Sequence, residues 1–405
     1  MVDRHLLTVN TGSSSLKAAL YRLGEKESER ESRELFAEAE RIGLPHSLLR
    51  FQDVRGDTFE EQRVELPDHA AALRALLDQL GVKGLDRDLV AVGHRVVHGG
   101  NRYRESQRIT AEVLDYLRTL IPTDPDHMPQ SLAAIEAISK AFPAVPQVAC
   151  FDTAFHGRMP GVARIYALPR WVAQAGVVRY GFHGLSCEYV MERLRTADRA
   201  SADGRIVIAH LGNGASMTAV RGGVGVDTTM GLTPTGGLVM GTRSGDLDPG
   251  VLIHILQSRE LDSVVLGDLV NRDAGLLGVS GTSADMRDLL ACEEDDPRAA
   301  EAISLFCYQA KKFLGALAAV LGGLDTLVFT GGIGVHAAPV RWRICEGLGF
   351  LGIRLVPRRN AAHAPIISCD DNPVTVRVMT TNEDLMIARH TRRLITEEGV
   401  ENVPF

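Results

Sequence analysis

The chain has 405 residues, which is longer than one hydrophobic core usually supports, so we expect two domains. Hydrophobic residues make up 45% and charged residues 23%, which excludes the disordered and collagen-like classes. A net charge of -7 gives no general attraction for nucleic acid or an anionic membrane, so an anionic ligand must be bound by a local group of donors.

The cysteines and the N-terminal segment indicate a protein of a reducing compartment. The cysteines are scattered and form no CxxC pair, which favours free thiols over disulfides or structural zinc. The first ten residues, MVDRHLLTVN, are charged and lack the apolar core of a signal peptide. The apolar run FLGALAAVLGGL at 313–324 is shorter than the roughly 20 residues of a membrane span and predicts a buried helix. We therefore expect a cytoplasmic protein with no membrane or nucleic-acid partner.

Strand-like runs alternate with helical patterns along the chain. The strand-like runs are, in chain order, LLTVN, AALYRL, LVAVGHRVVHGG, PQVACFD, RIVIAHLG, MTAVRGG, TLVFTGG and VTVRVMTTN. The helical patterns cover residues 68–81, 110–121, 185–197 and 297–323. This alternation predicts an α/β protein with mixed sheets. Residues 122–130 are rich in turn formers, and the Gly- and Thr-rich segment 221–250 predicts a long functional loop.

One segment occurs twice. Residues 6–20, LLTVNTGSSSLKAAL, match residues 206–220, IVIAHLGNGASMTAV, so that Gly12 falls on Gly212 and Ala19 on Ala219. Each copy has the pattern strand, glycine-containing turn, strand. A single copy would suit a plain hairpin turn equally well. Two copies favour two similar domains, each with a hairpin whose N–H groups and short hydroxyls suit phosphate oxygens.

Ten stretches, in this order and including the two hairpin turns, carry a family resemblance. They are NTGSSSLK (10–17), GHRVVHGG (93–100), FDTAFH (151–156), RYGFHG (179–184), HLGNGAS (210–216), DTTMGLTP (227–234), MGTRSGDLDP (240–249), SGTSADMRD (280–288), FTGGIG (329–334) and TNEDLMIAR (381–389). With them the chain resembles the acetokinase family of the actin, hexokinase and Hsp70-like ATPase superfamily over nearly its whole length.

The resemblance implies a fold and an activity. The fold would be α/β, with two duplicated actin-like (ribonuclease H-like) domains, mixed sheets flanked by helices, and an interdomain cleft. Domain I would comprise residues 1–155 and 385–405, and domain II residues 156–384. The activity would be reversible, Mg-dependent, direct in-line phosphoryl transfer from ATP to acetate, giving acetyl phosphate and ADP. The family is typically homodimeric.

The chemistry explains the residues that the resemblance marks as catalytic. Joining a carboxylate and ATP brings two anions together, so cations and N–H donors are needed. By resemblance, Arg95 and Arg243 bind the carboxylate and the phosphoryl oxygens with their planar guanidinium groups, and we expect them to converge on one reaction centre. His183 would stabilise charge on the transferring phosphoryl group, and Asp152 would orient the acyl substrate or help to hold the metal.

The resemblance also implies Mg²⁺, with Mn²⁺ as an alternative, and ATP as a substrate. Asn10 and Glu383 match the metal positions, although an acid at a helix N-terminus would equally explain Glu383. For His127 and His210, the alternative is a packed core histidine. The nucleotide residues would be Lys17, His210, Gly212, Asn213, Gly214, Asp285, Met286, Arg287, Gly331, Gly332, Ile333 and Gly334. The supporting residues would be Ser13, Ser15 and His127.

Two departures from the family pattern bear on specificity. Val97, Phe182 and Pro234 match the apolar pocket for the acyl methyl group, but its fourth member, commonly Leu in a segment close to PLHNP, is Asp126 in PDHMP. A carboxylate at a dry methyl contact is costly, so the preferred acid stays open between acetate, propionate and other short-chain acids. Val335 and His336 follow GGIG where the family usually has Glu-Asn, which leaves the preferred nucleotide open.

Two rival functions also remain. An actin-like or chaperone-like nucleotide-binding module would need the duplicated turns but has no use for Arg95, Asp152, His183 and Arg243 together. A sugar or glycerol kinase would need a general base for a hydroxyl group. A carboxylate is already ionised at pH 7, so a set rich in arginine and poor in bases favours an acid.

Overall fold

The computed structural model describes residues 4–12, 14–24, 31–53, 55, 57–82, 88–259 and 261–397. The chain divides into two compact units. The first unit comprises Met1–Ala154 and Asn382–Phe405, and the second comprises Phe155–Thr381.

The described residues form thirteen strands and sixteen α-helices. The strands are β1 (His5–Thr11), β2 (Ser15–Arg22), β3 (Ser32–Glu40), β4 (Leu48–Gln52), β5 (Thr58–Arg63), β6 (Leu89–Val96), β7 (Gln107–Arg108), β8 (Gln147–Phe151), β9 (Arg205–Leu211), β10 (Ala215–Arg221), β11 (Val224–Thr228), β12 (Thr326–Thr330) and β13 (Thr375–Val378). The helices are α1 (His69–Val82), α2 (Ala111–Thr119), α3 (Met128–Ala141), α4 (Gly161–Arg164), α5 (Arg170–Gln174), α6 (Gly184–Ala197), α7 (Arg199–Ala202), α8 (Pro249–Arg259), α9 (Ser263–Asn271), α10 (Gly275–Ser280), α11 (Met286–Cys292), α12 (Pro297–Leu321), α13 (Gly331–His336), α14 (Ala338–Cys345), α15 (Pro357–Ala361) and α16 (Glu383–Glu397).

The first unit is built on a mixed sheet in the order β5-β4-β3-β2-β1-β6-β8-β7. β1 pairs antiparallel with β2 and parallel with β6, and β6 pairs parallel with β8. The carboxyl ends of β1, β6 and β8 therefore lie at the same edge of the sheet, where polar side chains can gather. Helices α1 and α3 pack with a core of buried aliphatic side chains that includes Leu7, Leu20, Leu73 and Ile138.

The second unit repeats this arrangement on a smaller sheet, in the order β11-β10-β9-β12-β13. β9 pairs antiparallel with β10 and parallel with β12, as β1 does with β2 and β6. By length and apolar composition α12 passes the test for a membrane span, as the core helix of a folded domain also does. It buries side chains that include Ile303, Phe306, Leu314 and Leu317, and it contacts β9 and β10. It is thus a core helix, as predicted for 313–324.

The predicted duplication appears as two matching hairpins, with one correction to the alignment. Thr8 pairs with Ala19 in the first hairpin, whereas Val207 pairs with Ala219 in the second. Thr8 corresponds to Ile208 in the ungapped alignment, and Ile208 pairs with Thr218. The match of Ala19 with Ala219 is therefore wrong by one residue, because the second turn is one residue shorter than the first.

The predicted α/β class with two mixed sheets flanked by helices is confirmed, and each of the eight predicted strand runs contains a strand. The sequence patterns missed β3, β4, β5, β7 and β11. The turn-rich segment 122–130 already contains the first residues of α3, and the predicted loop at 221–250 contains β11 before an irregular stretch that ends at α8.

Candidate active site

In the first unit, a buried ion pair lies at the ends of two neighbouring parallel strands. Arg95 lies near the end of β6, and Asp152 follows β8 directly. The Nε and Nη2 atoms of Arg95 donate to Oδ2 of Asp152 at 3.0 and 2.5 Å. Asp152 is fully buried, and its Oδ1 has no hydrogen-bond partner in the part of the chain that the structure describes. One carboxylate oxygen is thus left for a ligand.

Asn10 and Glu383 join this pair. Asn10 lies near the end of β1, and Glu383 is the first residue of α16. The Nδ2 atom of Asn10 lies 3.4 Å from Oε2 of Glu383, and its Oδ1 lies 3.5 Å from Nη1 of Arg95. Arg95 Nη1 also donates to the carbonyl oxygen of Thr11 at 3.3 Å. Four predicted site residues, separated by up to 373 positions in the chain, therefore form one cluster.

The charges of this cluster shift the pKa values of its members. Burial raises the pKa of Glu383, the negative charge of Asp152 adds to this effect, and Arg95 opposes it. Burial by itself would lower the pKa of Arg95, but Asp152 and Glu383 outweigh it and raise that pKa. The cluster thus has more negative charge than Arg95 alone balances, and an added cation would relieve the excess.

The cluster fits a magnesium ion better than a metal that needs a full protein cage. No group of three or more His, Cys, Asp or Glu suited to a metal occurs among the described residues. Mg²⁺ typically takes one or two carboxylates and completes its shell with phosphate oxygens and water. Glu383, the amide oxygen of Asn10 and the unpartnered Oδ1 of Asp152 are hard oxygen donors of this kind.

His127 lies just before α3 and is held by a carboxylate that the sequence motifs do not mark. Its Nδ1 lies 2.9 Å from Oδ1 of Asp124, which is buried and whose Oδ2 has no partner among the described residues. One turn further on, Ser131 bonds through its hydroxyl to the hydroxyl of Thr11, 3.0 Å away. Because Arg95 donates to the carbonyl of Thr11, this network joins the start of α3 to the Arg95 cluster. In the sequence, the signal for this pair is the position of Asp124 three residues before His127.

The remaining predicted residues of the first unit have local partners. Lys17, on β2, forms an ion pair with Glu38 on β3 at 3.3 Å and is half exposed. The carbonyl oxygen of Ser15 accepts from the N–H of Gly12 across the first hairpin turn, at 2.8 Å. Ser13 lies outside the described residues. Val97 is buried just beyond the end of β6.

In the second unit, two stacked histidines lie beside the second hairpin. The rings of His183 and His210 are 4.2 Å apart and nearly parallel. The Nδ1 of His183 bonds to the hydroxyl of Ser216 at 2.9 Å, and the Nδ1 of His210 bonds to the hydroxyl of Ser186 at 2.8 Å. His183 precedes α6 with φ +59°, a left-handed conformation that costs a non-glycine residue energy and fixes where its ring points.

Gly214, at the tip of the second hairpin, lies close to two predicted site residues. A Cβ atom at Gly214 would lie 3.3 Å from Nε2 of His183 and 3.5 Å from Nη1 of Arg243. Arg243 Nη1 donates to the carbonyl oxygen of Pro234 at 3.3 Å. The hairpin, His183, His210 and Arg243 are thus neighbours in the second unit.

The two predicted glycine-rich stretches, 210–216 and 329–334, lie next to each other in the second unit. Gly331 has φ +76°, and a Cβ there would lie 2.6 Å from the carbonyl oxygen of Leu211, so only glycine fits between β12 and α13. A Cβ at Gly212 would lie 3.9 Å from the backbone nitrogen of Gly332. The start of α13 therefore lies against the second hairpin. Ile333 and Gly334 continue this helix.

Other predicted residues of the second unit have structural roles already. Asp285 caps α11 by accepting from the N–H of Arg287 at 2.8 Å, and it also pairs with the Arg287 side chain at 2.6 Å. Met286 is buried, whereas the Arg287 side chain is 88% exposed. Phe182 is buried and its carbonyl oxygen lies 2.9 Å from Nε2 of His156. Asn213 follows Gly212 in the hairpin turn, and Pro234 is buried.

Comparisons with known proteins agree with the fold and with the sequence motifs. A sequence model of the Acetokinase family matches residues 5–389. The chain belongs to the acetokinase family. A relative from Rhodopseudomonas palustris, named acetate kinase, is 48% identical over 395 residues, which cover 96% of this chain and 98% of that protein. The predicted family resemblance is confirmed.

Two solved structures of family members share the whole fold. The crystal structure of Porphyromonas gingivalis acetate kinase has a TM-score of 0.85 at 37% identity and covers 97% of this chain and 100% of its own. The crystal structure of a propionate kinase from Francisella tularensis has a TM-score of 0.88 at 35% identity and covers 96% of this chain and 99% of its own. One of these proteins is named for acetate and the other for propionate.

Proposed function

We propose that this chain is a kinase that transfers the γ-phosphoryl group of ATP to acetate, reversibly, giving acetyl phosphate and ADP. Family membership and relatives named acetate kinase over nearly the whole chain support this reaction. The observation that carries the proposal is the buried cluster of Arg95, Asp152, Asn10 and Glu383, because it combines a guanidinium held by Asp152 with a carboxylate oxygen, Oδ1 of Asp152, that has no partner among the described residues.

Arg95 would bind the substrate carboxylate. Among the described residues, the hydrogen bonds of its Nη1 are long, at 3.3 and 3.5 Å, whereas Nε and Nη2 are held by Asp152. A carboxylate substrate would replace these weak contacts with a charge-assisted hydrogen bond. Asp152 would keep the guanidinium plane fixed, which lowers the entropic cost of orienting the attacking oxygen. No general base is needed because the acid is ionised at neutral pH.

Glu383, Asn10 and Asp152 would hold Mg²⁺, with Mn²⁺ as a substitute. When bound, the ion would supply positive charge to the phosphate oxygens of ATP. The raised pKa of Glu383 supports this assignment, because the buried carboxylate lacks enough positive charge around it. Asp124 would hold His127 through Nδ1 and so fix the direction of the Nε2 atom.

The second unit would bind the phosphoryl group and the nucleotide. Arg243 and His183 would donate to the equatorial oxygens of the transferring group, where charge increases in the transition state. The N–H groups of the hairpin at Gly212, Asn213 and Gly214 and of the turn at Gly331 to Gly334 would bind phosphate oxygens. The other nucleotide residues proposed from the family pattern are Lys17, His210, Asp285, Met286 and Arg287, with Ser15 in support.

A second candidate substrate is propionate. Val97, Phe182 and Pro234 would contact the alkyl group of the acid, and one methylene shifts discrimination by only about 1–3 kcal/mol. The partly buried Asp126, where the family commonly has Leu, and the solved propionate kinase favour testing this acid.

We also propose a homodimer, as the family resemblance implies. Two consecutive helices of the second unit, α8 and α9, have no buried residue among those described, although their sequences are largely apolar. Val251, Ile253, Val264 and Val265 are between 42% and 70% exposed. Such a surface suits a second copy of the chain. The domain boundaries would follow the two compact units.

An acyl hydroxamate assay tests the proposed reaction. Purified protein is incubated with MgATP, hydroxylamine and either acetate, propionate or butyrate. We expect hydroxamate with acetate, and less with the longer acids. ATP turnover that needs no acid and yields no hydroxamate would instead favour a nucleotide-binding module. A sugar kinase would consume ATP only with a sugar or glycerol.

A further inference from the structure

Arg341, on α14, is a fully buried cation with an unusual set of partners. Its Nη1 donates to the carbonyl oxygens of Gly334 and Val335 at 2.9 and 2.7 Å. Its Nε donates to the side-chain oxygen of Asn360 at 2.8 Å, and its Nη2 to the carbonyl oxygen of Asn360 at 2.7 Å. The Nδ1 of His363 lies 3.1 Å from Nη2.

No carboxylate is among the hydrogen-bond or ion-pair partners that the described residues give Arg341. A buried charge without a counter-ion is expensive, and here oriented carbonyl dipoles and the ring nitrogen of His363 compensate it. Burial accordingly lowers the pKa of Arg341 to about 10. A lysine could not replace this side chain, because an ammonium group with three donors cannot satisfy all of these acceptors on α13 and at α15 at once.

The segments that Arg341 joins include the glycine-rich turn proposed to bind nucleotide. Gly334 and Val335 belong to α13, and Asn360 belongs to α15. The amide group of Asn360 in turn donates to the carbonyl oxygen of Ala338, at the start of α14, at 2.9 Å. The guanidinium thus holds the final carbonyls of α13 from one side.

The other end of α13 lies against the second hairpin. The backbone nitrogen of Gly332 is 3.9 Å from the Cβ position of Gly212, and the Cβ position of Gly214 borders His183 and Arg243. A shift of α13 would therefore move the N–H groups at its start relative to the residues proposed to bind phosphate.

We propose that Arg341 is a positioning residue for the nucleotide: by binding the last carbonyls of α13, it fixes the glycine-rich turn and so sets the affinity for ATP, without acting on the acid. This inference rests on the proposed assignment of α13 to the nucleotide site. It predicts that loss of the Arg341 hydrogen bonds weakens the binding of ATP and ADP but leaves the binding of the acid nearly unchanged.

The test compares Arg341→Gln, Arg341→Lys and the milder Asn360→Ala with a matched control, Arg343→Gln. Arg343 lies two residues further along α14 and donates to Glu293, which follows α11, at 2.9 Å. We expect each of the first three variants to raise the KM for ATP and the Kd for ADP by about tenfold, with the KM for acetate changed by less than about twofold. Arg343→Gln should leave all three constants unchanged.

Direct titration with ADP separates this inference from the proposed reaction. If the unsubstituted protein binds ADP but phosphorylates no acid, the proposed reaction fails, and the ADP affinities still decide the role of Arg341. Circular dichroism identifies variants that fail to fold, and Asn360→Ala then carries the comparison. Folded variants with unaltered nucleotide constants, or with equal losses for ATP and acetate, would overturn the proposal.

Discussion

Replacement of Arg95 by leucine should separate its contribution to stability from its contribution to catalysis. The substitution leaves the fully buried Asp152 without either of the two hydrogen bonds to its Oδ2, while its Oδ1 already lacks a partner among the described residues. Removing one member of a buried pair typically costs about 3–5 kcal/mol, because the remaining charge stays desolvated. We therefore expect Arg95→Leu to lower the free energy of unfolding by about this amount at neutral pH.

The double variant Arg95→Leu/Asp152→Asn is the matched control. It removes both charges, so most of the lost stability should return. Its activity should not return, because neither the carboxylate nor the phosphoryl charge would meet the guanidinium. We expect both variants to lose about 10³-fold or more in turnover.

Urea denaturation followed by circular dichroism gives the stability, and hydroxamate formation gives the activity. A single variant as stable as the parent chain would show that the buried pair is not formed as described. Substantial activity in the double variant would remove Arg95 from the reaction.

Four further predictions concern other parts of the site and the fold. Arg243→Lys should lower turnover about 10²-fold or more with little effect on unfolding, and a kcat near that of the parent chain would exclude a transition-state role. Asp126→Leu should lower the KM for acetate if this residue lines the acyl pocket, whereas an unchanged profile with acetate and propionate would place it elsewhere. A chelator should stop turnover and added Mg²⁺ or Mn²⁺ should restore it; activity that persists in chelator would contradict the metal assignment. Burial lowers the pKa of His94 from 6.5 to about 4. Between pH 7 and pH 5 this histidine therefore takes up a proton in the unfolded chain but not in the folded chain. The free energy of unfolding should fall by about 2 kcal/mol over this range. His94→Gln should abolish that part of the pH dependence, and denaturation curves of both proteins at the two pH values measure it.

The sequence predicted the central strands well because their signal is simple. Parallel strands buried on both faces are continuous apolar runs, such as PQVACFD around β8 and TLVFTGG around β12. β3 was missed because its sequence, SRELFAEAE, resembles a helix in composition. Its burial alternates, with Leu35, Ala37 and Ala39 buried and the intervening Phe36 and Glu38 only partly buried, as expected for a strand with one face towards water.

The sequence predicted those residues of the candidate site that belong to recognisable motifs. Arg95, Asp152, Asn10 and Glu383 were named from their motifs, and the structure brings them together because three strands and α16 end or begin at one edge of the sheet. Arg341 was missed because burial of a charged side chain has no signal in the sequence, and Asp124 had no signal beyond its position three residues before His127. Charged residues are exposed by default, and only the structure reveals the partners that compensate them.

An isotope experiment tests the central claim most directly. Acetate labelled with ¹⁸O in both carboxylate oxygens is incubated with the protein and MgATP, and the acyl phosphate is analysed by mass spectrometry and ³¹P NMR. If the carboxylate attacks the γ-phosphorus, the acetyl phosphate carries the label in the oxygen that bridges carbon and phosphorus. ADP formation without labelled acetyl phosphate would contradict the proposed reaction.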